Sequence, residues 1–364
     1  MFTLIIFLLI FGLLVFVHEF GHFVMAKRAG VKVEEFGFGF PPKMFGFRRG
    51  ETLYSLNWIP LGGFVRIKGE SGEARTDPRS FAAQGIGKRA TILLAGVAMN
   101  FILAAALLTI GFVVGLPKIV EDLPSAARVR NRELQIFQVL PESPAARAGL
   151  TAGDAILRVN DTSVATLEDF RNAIERAGAR AEVQYRRGNE MASVVVTPEA
   201  LRETGRPGIG VGMSATGIVS YPWYLAPFYG TMETVRYVRE VAMALAALLG
   251  GLLFTGRLTV DLSGPVGIAV ATGEVARLGF VYLLQFTALL SVNLGVINVL
   301  PIPALDGGRL LFLGIEGVRR RPVSPRIEGL FIRIGFLLLM LLVLFVTYHD
   351  LLRYGAGLFR GLGT

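Results

Sequence analysis

The sequence predicts an α-helical membrane protein with four transmembrane helices, a membrane-associated β-hairpin region and an inserted extracytoplasmic α+β domain. Three observations carry that reading. The chain of 364 residues is 52% hydrophobic with a mean hydropathy of +0.55, too apolar for a soluble protein of this length. Phe2 to Met25, Thr91 to Leu116, Phe280 to Leu300 and Leu330 to Thr347 are each long enough to cross about 30 Å of hydrocarbon. The basic residues concentrate between these spans, although the fourth carries Arg333 near its start.

The first span carries no charged side chain from residue 1 to 17, and then meets His18-Glu19-Phe20-Gly21-His22. No Lys or Arg precedes the apolar run and no small-residue cleavage site follows it, so it is expected to stay as a helix, not to leave as a signal peptide. Residues four apart share a helix face, so His18 and His22 can bind one Zn²⁺ while Glu19 serves a water as general base. Two imidazoles and a carboxylate inside an apolar run are costly without partners or a function.

Val31 to Glu70 mixes glycines, Pro41-Pro42 and short β-prone runs, Thr52 to Leu56 and Gly63 to Ile67. It reads as hairpins on or dipping into the bilayer, which must be covered by protein or line a wet cavity. Lys27, Arg28, Lys32, Lys43, Arg48, Arg49, Arg66, Lys68, Arg75, Arg79, Lys88 and Arg89 precede the second span, and Arg319, Arg320, Arg321 and Arg326 precede the fourth. The positive-inside rule makes both loops cytoplasmic and sends the termini and the central segment outside. A net charge of +9 is thus explained by topology and lipid headgroups, and no nucleic-acid partner is expected.

Lys118 to Met213 is soluble in composition. Gly149-Leu150 leads into Gly153-Asp154 and a strand, followed by the helix-like Leu167 to Ala177 and the strands Ala181 to Arg186 and Ser193 to Thr197. This pattern resembles a PDZ domain, with Gly208 to Gly212 as its late peptide-binding strand. Val241 to Phe254 is apolar, but Arg236, Arg239 and Glu240 interrupt its extension, so 14 residues predict an interfacial or re-entrant helix. The expected division is 1–116 and 280–364 as membrane core, 117–213 as the PDZ-like domain and 214–279 as a linker bearing that helix.

A catalytic zinc needs a third protein ligand, and the chain has no Cys. His18 and His22 fall in the cytoplasmic half of the first span, whereas His349 ends the outward-running fourth span, roughly 30 Å away. The third span runs inward and continues into Asn298-Val299-Leu300-Pro301-Ile302-Pro303-Ala304-Leu305-Asp306-Gly307-Gly308. That delivers Asp306 to the same depth and makes it the best third ligand, with Glu34 and Glu35 as rivals. Pro301 and Pro303 interrupt the helix, and Gly307 and Gly308 are expected to allow close packing against the first span. Asn293 and Asn298 carry donors suited to a substrate backbone or an oxyanion.

H-E-F-G-H in the first span, the Gly62-Gly63-Phe64-Val65 turn, one PDZ-like domain, Ser263-Gly264-Pro265-Val266-Gly267 and N-x-x-P-x-P-x-L-D-G-G together resemble the bacterial site-2 proteases, specifically those similar to the regulator of sigma-E protease. The resemblance implies an intramembrane zinc metalloprotease that cuts single-span substrates such as anti-sigma factors after an upstream site-1 type protease has shortened them. It implies Zn²⁺ on His18, His22 and Asp306, Glu19 as base and Asn298 on substrate. The 32–68 region, including Gly63 and Phe64, would pair with an unwound substrate. Location in the bacterial inner membrane, with the PDZ-like domain periplasmic and the active site in the cytoplasmic half, follows from the same resemblance. The best-known member has two tandem PDZ domains, whereas this chain has room for one. A membrane-anchored PDZ adaptor without proteolytic activity is the alternative of another class.

Overall fold

A computed structural model describes residues 2–120, 123–188, 190–200, 207–256 and 263–361; Met1, the first residue of the expected membrane core, lies outside them. Two compact units emerge, one from Met1–Thr109 with Pro227–Thr364 and one from Ile110–Ala226. The first unit opens with α1 (Phe2–Arg28), the strands β1 (Val33–Arg49) and β2 (Thr52–Ile67), and α2 (Ile86–Val114). Among the described residues, four helices are long and apolar enough to cross a membrane: α1, α2, α7 (Phe280–Val299) and α9 (Pro325–Gly361).

The two β-prone runs expected before the second span are parts of one irregular strand, β2. β1 and β2 pair antiparallel in a much-bulged register. Phe36 aligns with Val65 on one side and Tyr54 on the other, so that Glu35–Phe38 lies between Gly63–Arg66 and Leu53–Leu56. Phe45–Arg48 covers the far side of Leu53–Leu56. Gly39, with φ +77°, and Gly62, with φ +88°, supply the reversals that side-chain-bearing residues resist. Toward the segment's outer part, Phe40, Met44, Phe45, Phe47, Trp58 and Ile59 are exposed, an apolar group that suits lipid better than water.

The unit's second half contains α5 (Ala226–Thr255), α6 (Pro265–Leu278), α7, α8 (Asp306–Arg319) and α9. The predicted 14-residue helix at Val241 to Phe254 is corrected here, because it is the second half of a continuous 30-residue α5. Arg236, expected to interrupt that helix, instead pairs along it with Glu233 at 2.5 Å and Glu240 at 3.4 Å, the i,i+3 and i,i+4 spacings that favour helix. Ser263 and Gly264 lead into α6, with Gly264 as its N-cap. Pro265 occupies its first turn and the Gly267 amide donates to Asp350 of α9 at 2.7 Å, a carboxylate at a helix N-terminus.

The second unit holds β3 (Leu116–Ile119), β4 (Arg128–Val139), α3 (Pro144–Arg147), β5 (Ala155–Val159), β6 (Thr162–Ser163), α4 (Leu167–Ala177), β7 (Ala181–Arg187), β8 (Glu190–Val196), β9 (Glu199–Ala200), β10 (Pro207–Gly208) and β11 (Val211–Ser220). Its main sheet runs β3-β11-β4-β5-β7-β8, with β6 on β5. α4 starts in a capping box between Thr166 and Asp169 and buries Phe170, Ala173 and Ile174, one helical face, against Leu134, Ile136, Ile156 and Val183. Two expectations change. Gly208 to Gly212 is not one strand, because Gly210 takes φ +75° between β10 and β11. β11 also runs to Ser220, past the expected border at 213, because it pairs with both β3 and β4.

Asp154 is wholly buried and bonds Arg187 twice, each at 2.7 Å, while accepting the Thr151 amide at 2.8 Å. Burial pushes its carboxyl up, but Arg187 and Thr151 outweigh that and hold it below the usual carboxylate range. A depressed folded-state pKa gives stabilisation that is complete above the unfolded value of about 3.9 and is lost as pH falls through the folded one. Arg187→Ala should destabilise this unit near neutral pH, because the buried Asp154 carboxylate loses its charged partner, less whatever water restores in place of the half-exposed guanidinium. Urea denaturation should show the gap between variant and wild type closing below about pH 4.

Candidate metal centre

α1 brings His18 and His22 to one face as successive turns, and both are buried at 6% exposure. What they meet is set by glycines. A Cβ on Gly21 would strike the Ala95 carbonyl, and one on Gly96 would strike both imidazoles. α1 and α2 therefore approach to backbone contact, the small-residue packing that membrane helices use. The face of α2 at Ile92, Gly96 and Asn100, spaced by four, becomes the wall behind the two rings. Ile92 offers its carbonyl to His22 Nδ1 at 2.8 Å, and Asn100 lies 3.1 Å from His18 Nδ1.

Asp306 arrives by a different route. α7 ends at Val299, the chain turns through Pro301 and Pro303, and Ala304 takes φ +71° before α8 begins at Asp306. Gly307 and Gly308 make this turn possible: a Cβ there would strike the carbonyls of Val299, Leu300 and Ile302. Their close packing is thus against the end of α7, correcting the expectation of packing against the first span. The reversal is what needs the space.

The three donor atoms converge. His18 Nε2 and His22 Nε2 are 3.1 Å apart, and Asp306 Oδ2 is 3.1 Å from the first and 3.2 Å from the second. Tetrahedral ligands at about 2.05 Å from zinc would be about 3.3 Å apart, close to this triangle. Since a carbonyl only accepts, His22 Nδ1 donates to Ile92 and its Nε2 holds the lone pair. Lone pair and carboxylate thus face each other in a buried place, an arrangement that calls for a cation. Among the described residues, this is the group of His, Asp and Glu side chains with donor atoms all within 4.8 Å.

The other sequence candidates lie elsewhere. Glu35 accepts from Ser55 Oγ at 2.7 Å and pairs with Arg66 at 3.4 Å. Neither it nor Glu34 joins the group. His349 is exposed near the far end of α9, beside the buried Asp350. Glu19 accepts the Val65 amide of β2 at 3.1 Å, which ties the base candidate to the Gly63–Ile67 segment. Gly63 pairs with Phe38 and Phe64 with Gly37 in that sheet. Asn298 is buried at 8%, whereas Asn293 is partly exposed and returns its amide to the Leu289 carbonyl at 3.1 Å.

Sequence reasoning placed the second span but missed the part that α2 plays in this site. Ile92 acts through its backbone, which no residue type announces, and Asn100 sits in an apolar span without a motif. The only available signal was a lone amide in a run of hydrocarbon side chains. It also missed that Arg309, one turn after Asp306, pairs with Glu70 just past β2. Arg89 of α2 pairs with Glu316 of α8 at 2.5 Å.

With the geometry in hand, the sequence matches Peptidase family M50 over residues 6–342. It is 33% identical to the zinc metalloprotease RasP of Oceanobacillus iheyensis, across 96% of this chain and 99% of that protein. It is 32% identical to the regulator of sigma-W protease RasP of Bacillus subtilis, across 96% and 98% respectively. The crystal structure of the PDZ domain of an SdrC-like protein from Listeria monocytogenes is 24% identical, covering 24% of this chain and 92% of that one, with a TM-score of 0.22 that carries no structural argument.

Gly96→Ala should push both imidazoles aside and lower zinc bound per purified chain, because the added methyl would lie 2.4 Å from the His22 ring and 2.8 Å from the His18 ring. Gly250→Ala, with open space at the same position, should bind zinc like wild type. Elemental analysis after gel filtration distinguishes the two.

Proposed function

Because the chain belongs to Peptidase family M50 and is a zinc metalloprotease, we propose that His18, His22 and Asp306 hold its Zn²⁺, that Glu19 is its general base, and that it cuts transmembrane segments of single-span proteins. The triangle of donors, two of them from the apolar α1 that also carries Glu19, is the observation that carries this reading. Zn²⁺ bound there supplies a Lewis acid that polarises a carbonyl and acidifies water. The chain's own residues do the rest.

Glu19 takes the proton of the attacking water and passes it to the leaving amine, and its neighbours fix where it can do so. Its bond to the Val65 amide anchors the carboxylate beside the Gly63–Ile67 segment, whose other side pairs with Glu35–Phe38. A helical substrate shields its scissile carbonyl, so it must unwind. The side of that segment away from Glu35–Phe38, where the Val65 amide meets Glu19, then offers its remaining backbone groups to an extended chain, the mode of β-strand addition. Gly63 and Phe64 belong to this edge, and Asn298, on the helix that leads to Asp306, is proposed to contact the substrate backbone.

The B. subtilis relative is named a regulator of sigma-W protease. By that likeness, substrates of the anti-sigma factor kind, shortened beforehand by another protease, are proposed here. The proposed setting is the bacterial inner membrane, with termini and inserted domain outside and the metal centre toward the cytoplasmic side. The inserted Ile110–Ala226 unit, a single PDZ-like domain, is proposed to exclude untrimmed substrates, since it joins α2 directly to α5.

Glu19→Gln should lower cleavage by about 10²–10⁴-fold while leaving zinc content intact. An in vitro assay on a single-span substrate in detergent, read beside elemental analysis, measures both. Replacing residues 120–210 with a short flexible linker should allow cleavage of an untrimmed substrate. A folded, zinc-loaded deletion protein that still cuts only trimmed substrate would show that length is read elsewhere.

A further inference from the structure

Asn100 is wholly buried in α2, and its two ends are unequal. Nδ2 lies 3.1 Å from His18 Nδ1, while Oδ1 has no hydrogen-bond partner among the described residues. Its backbone is fixed as well, because Ser291 Oγ of α7 donates to the Asn100 carbonyl at 2.8 Å. The residue is thus held at one place between α1 and α7, with an amide free to turn only about its own terminal bond.

In the orientation observed, an N–H faces His18 Nδ1, which must then carry the lone pair. The imidazole proton sits on Nε2, within reach of Asp306 Oδ2 at 3.1 Å. Ligation through Nε2 needs the opposite tautomer, with the proton on Nδ1 and an acceptor facing it. A half-turn of the same amide brings Oδ1 to that place. An aliphatic side chain could serve neither tautomer, and a carboxylate only the second.

We infer that Asn100 is a positioning residue for the zinc site: its amide turns to accept from His18 Nδ1–H and so fixes the tautomer that binds through Nε2. This rests on the proposal that His18, His22 and Asp306 hold the metal. His22 needs no such device, because its partner is the Ile92 carbonyl, which always accepts. The two ligands of one helix are therefore held differently, one by a fixed acceptor and one by a convertible group. The convertible group lets the buried ring keep a hydrogen bond in either tautomer.

Zinc affinity of the full chain in detergent, titrated against a chromophoric chelator after metal stripping, tests the inference. Asn100→Leu should weaken zinc binding about 10–100-fold, whereas Asn100→Asp, which keeps the acceptor and loses the donor, should bind at least as tightly as wild type. The aspartate variant should also unfold at a lower temperature than wild type when stripped, having no donor for the other tautomer. Wild-type affinity in Asn100→Leu, or an Asn100→Asp as weak as it, would overturn the assignment. If the leucine variant does not fold, the aspartate variant decides alone, and a tenfold loss there refutes it. His18→Ala separates the premise: stoichiometric zinc in that variant would refute the metal site itself, whatever Asn100 does.

Discussion

The metal centre depends on two apolar helices touching at backbone distance. Gly21 of α1 and Gly96 of α2 make that contact, and without it the imidazoles of His18 and His22 would have no wall to lean on. Contact alone would leave four ring nitrogens in a medium that cannot hydrate them. α2 answers on the Nδ1 side with Ile92 and Asn100, and Asp306 answers on the Nε2 side. The metal is then the remaining partner for the donor atoms that this packing gathers.

The same economy of space governs how Asp306 gets there. The chain after α7 must reverse within a few residues, and Pro301, Pro303, Gly307 and Gly308 make that reversal at the end of the helix. Ion pairs then tie α8 into place, Arg309 to Glu70 and Glu316 to Arg89. Glu70 follows the strand whose Val65 amide binds Glu19. The ligand helix, the base and the proposed substrate edge are thus joined through a few short covalent and ionic links, which is the preorganisation hydrolysis requires.

How much of this the sequence discloses depends on whether the cause is local. His18, Glu19 and His22 are legible because helical spacing is local and the residue types are scarce in hydrocarbon. Asp306 is legible one step further, by counting spans and signs of charge. The fold-back of β1 on β2 is not, because Phe36 pairs with both Tyr54 and Val65, and nothing in a run of β-prone residues fixes such a register. α5 misleads for a related reason: Arg236 reads as an interruption until its partners, Glu233 and Glu240, are seen on the same face. Ile92 is illegible in principle, since it contributes only a carbonyl.

The central claim is that two imidazoles and one carboxylate, with no sulfur, hold the zinc. Zinc K-edge X-ray absorption on the purified full-length chain tests it most directly. The account predicts a four-coordinate spectrum with two imidazole nitrogens at about 2.0–2.1 Å and oxygens at about 2.0–2.2 Å. A single imidazole in the zinc shell, or no bound zinc in a folded and proteolytically active preparation, would contradict it.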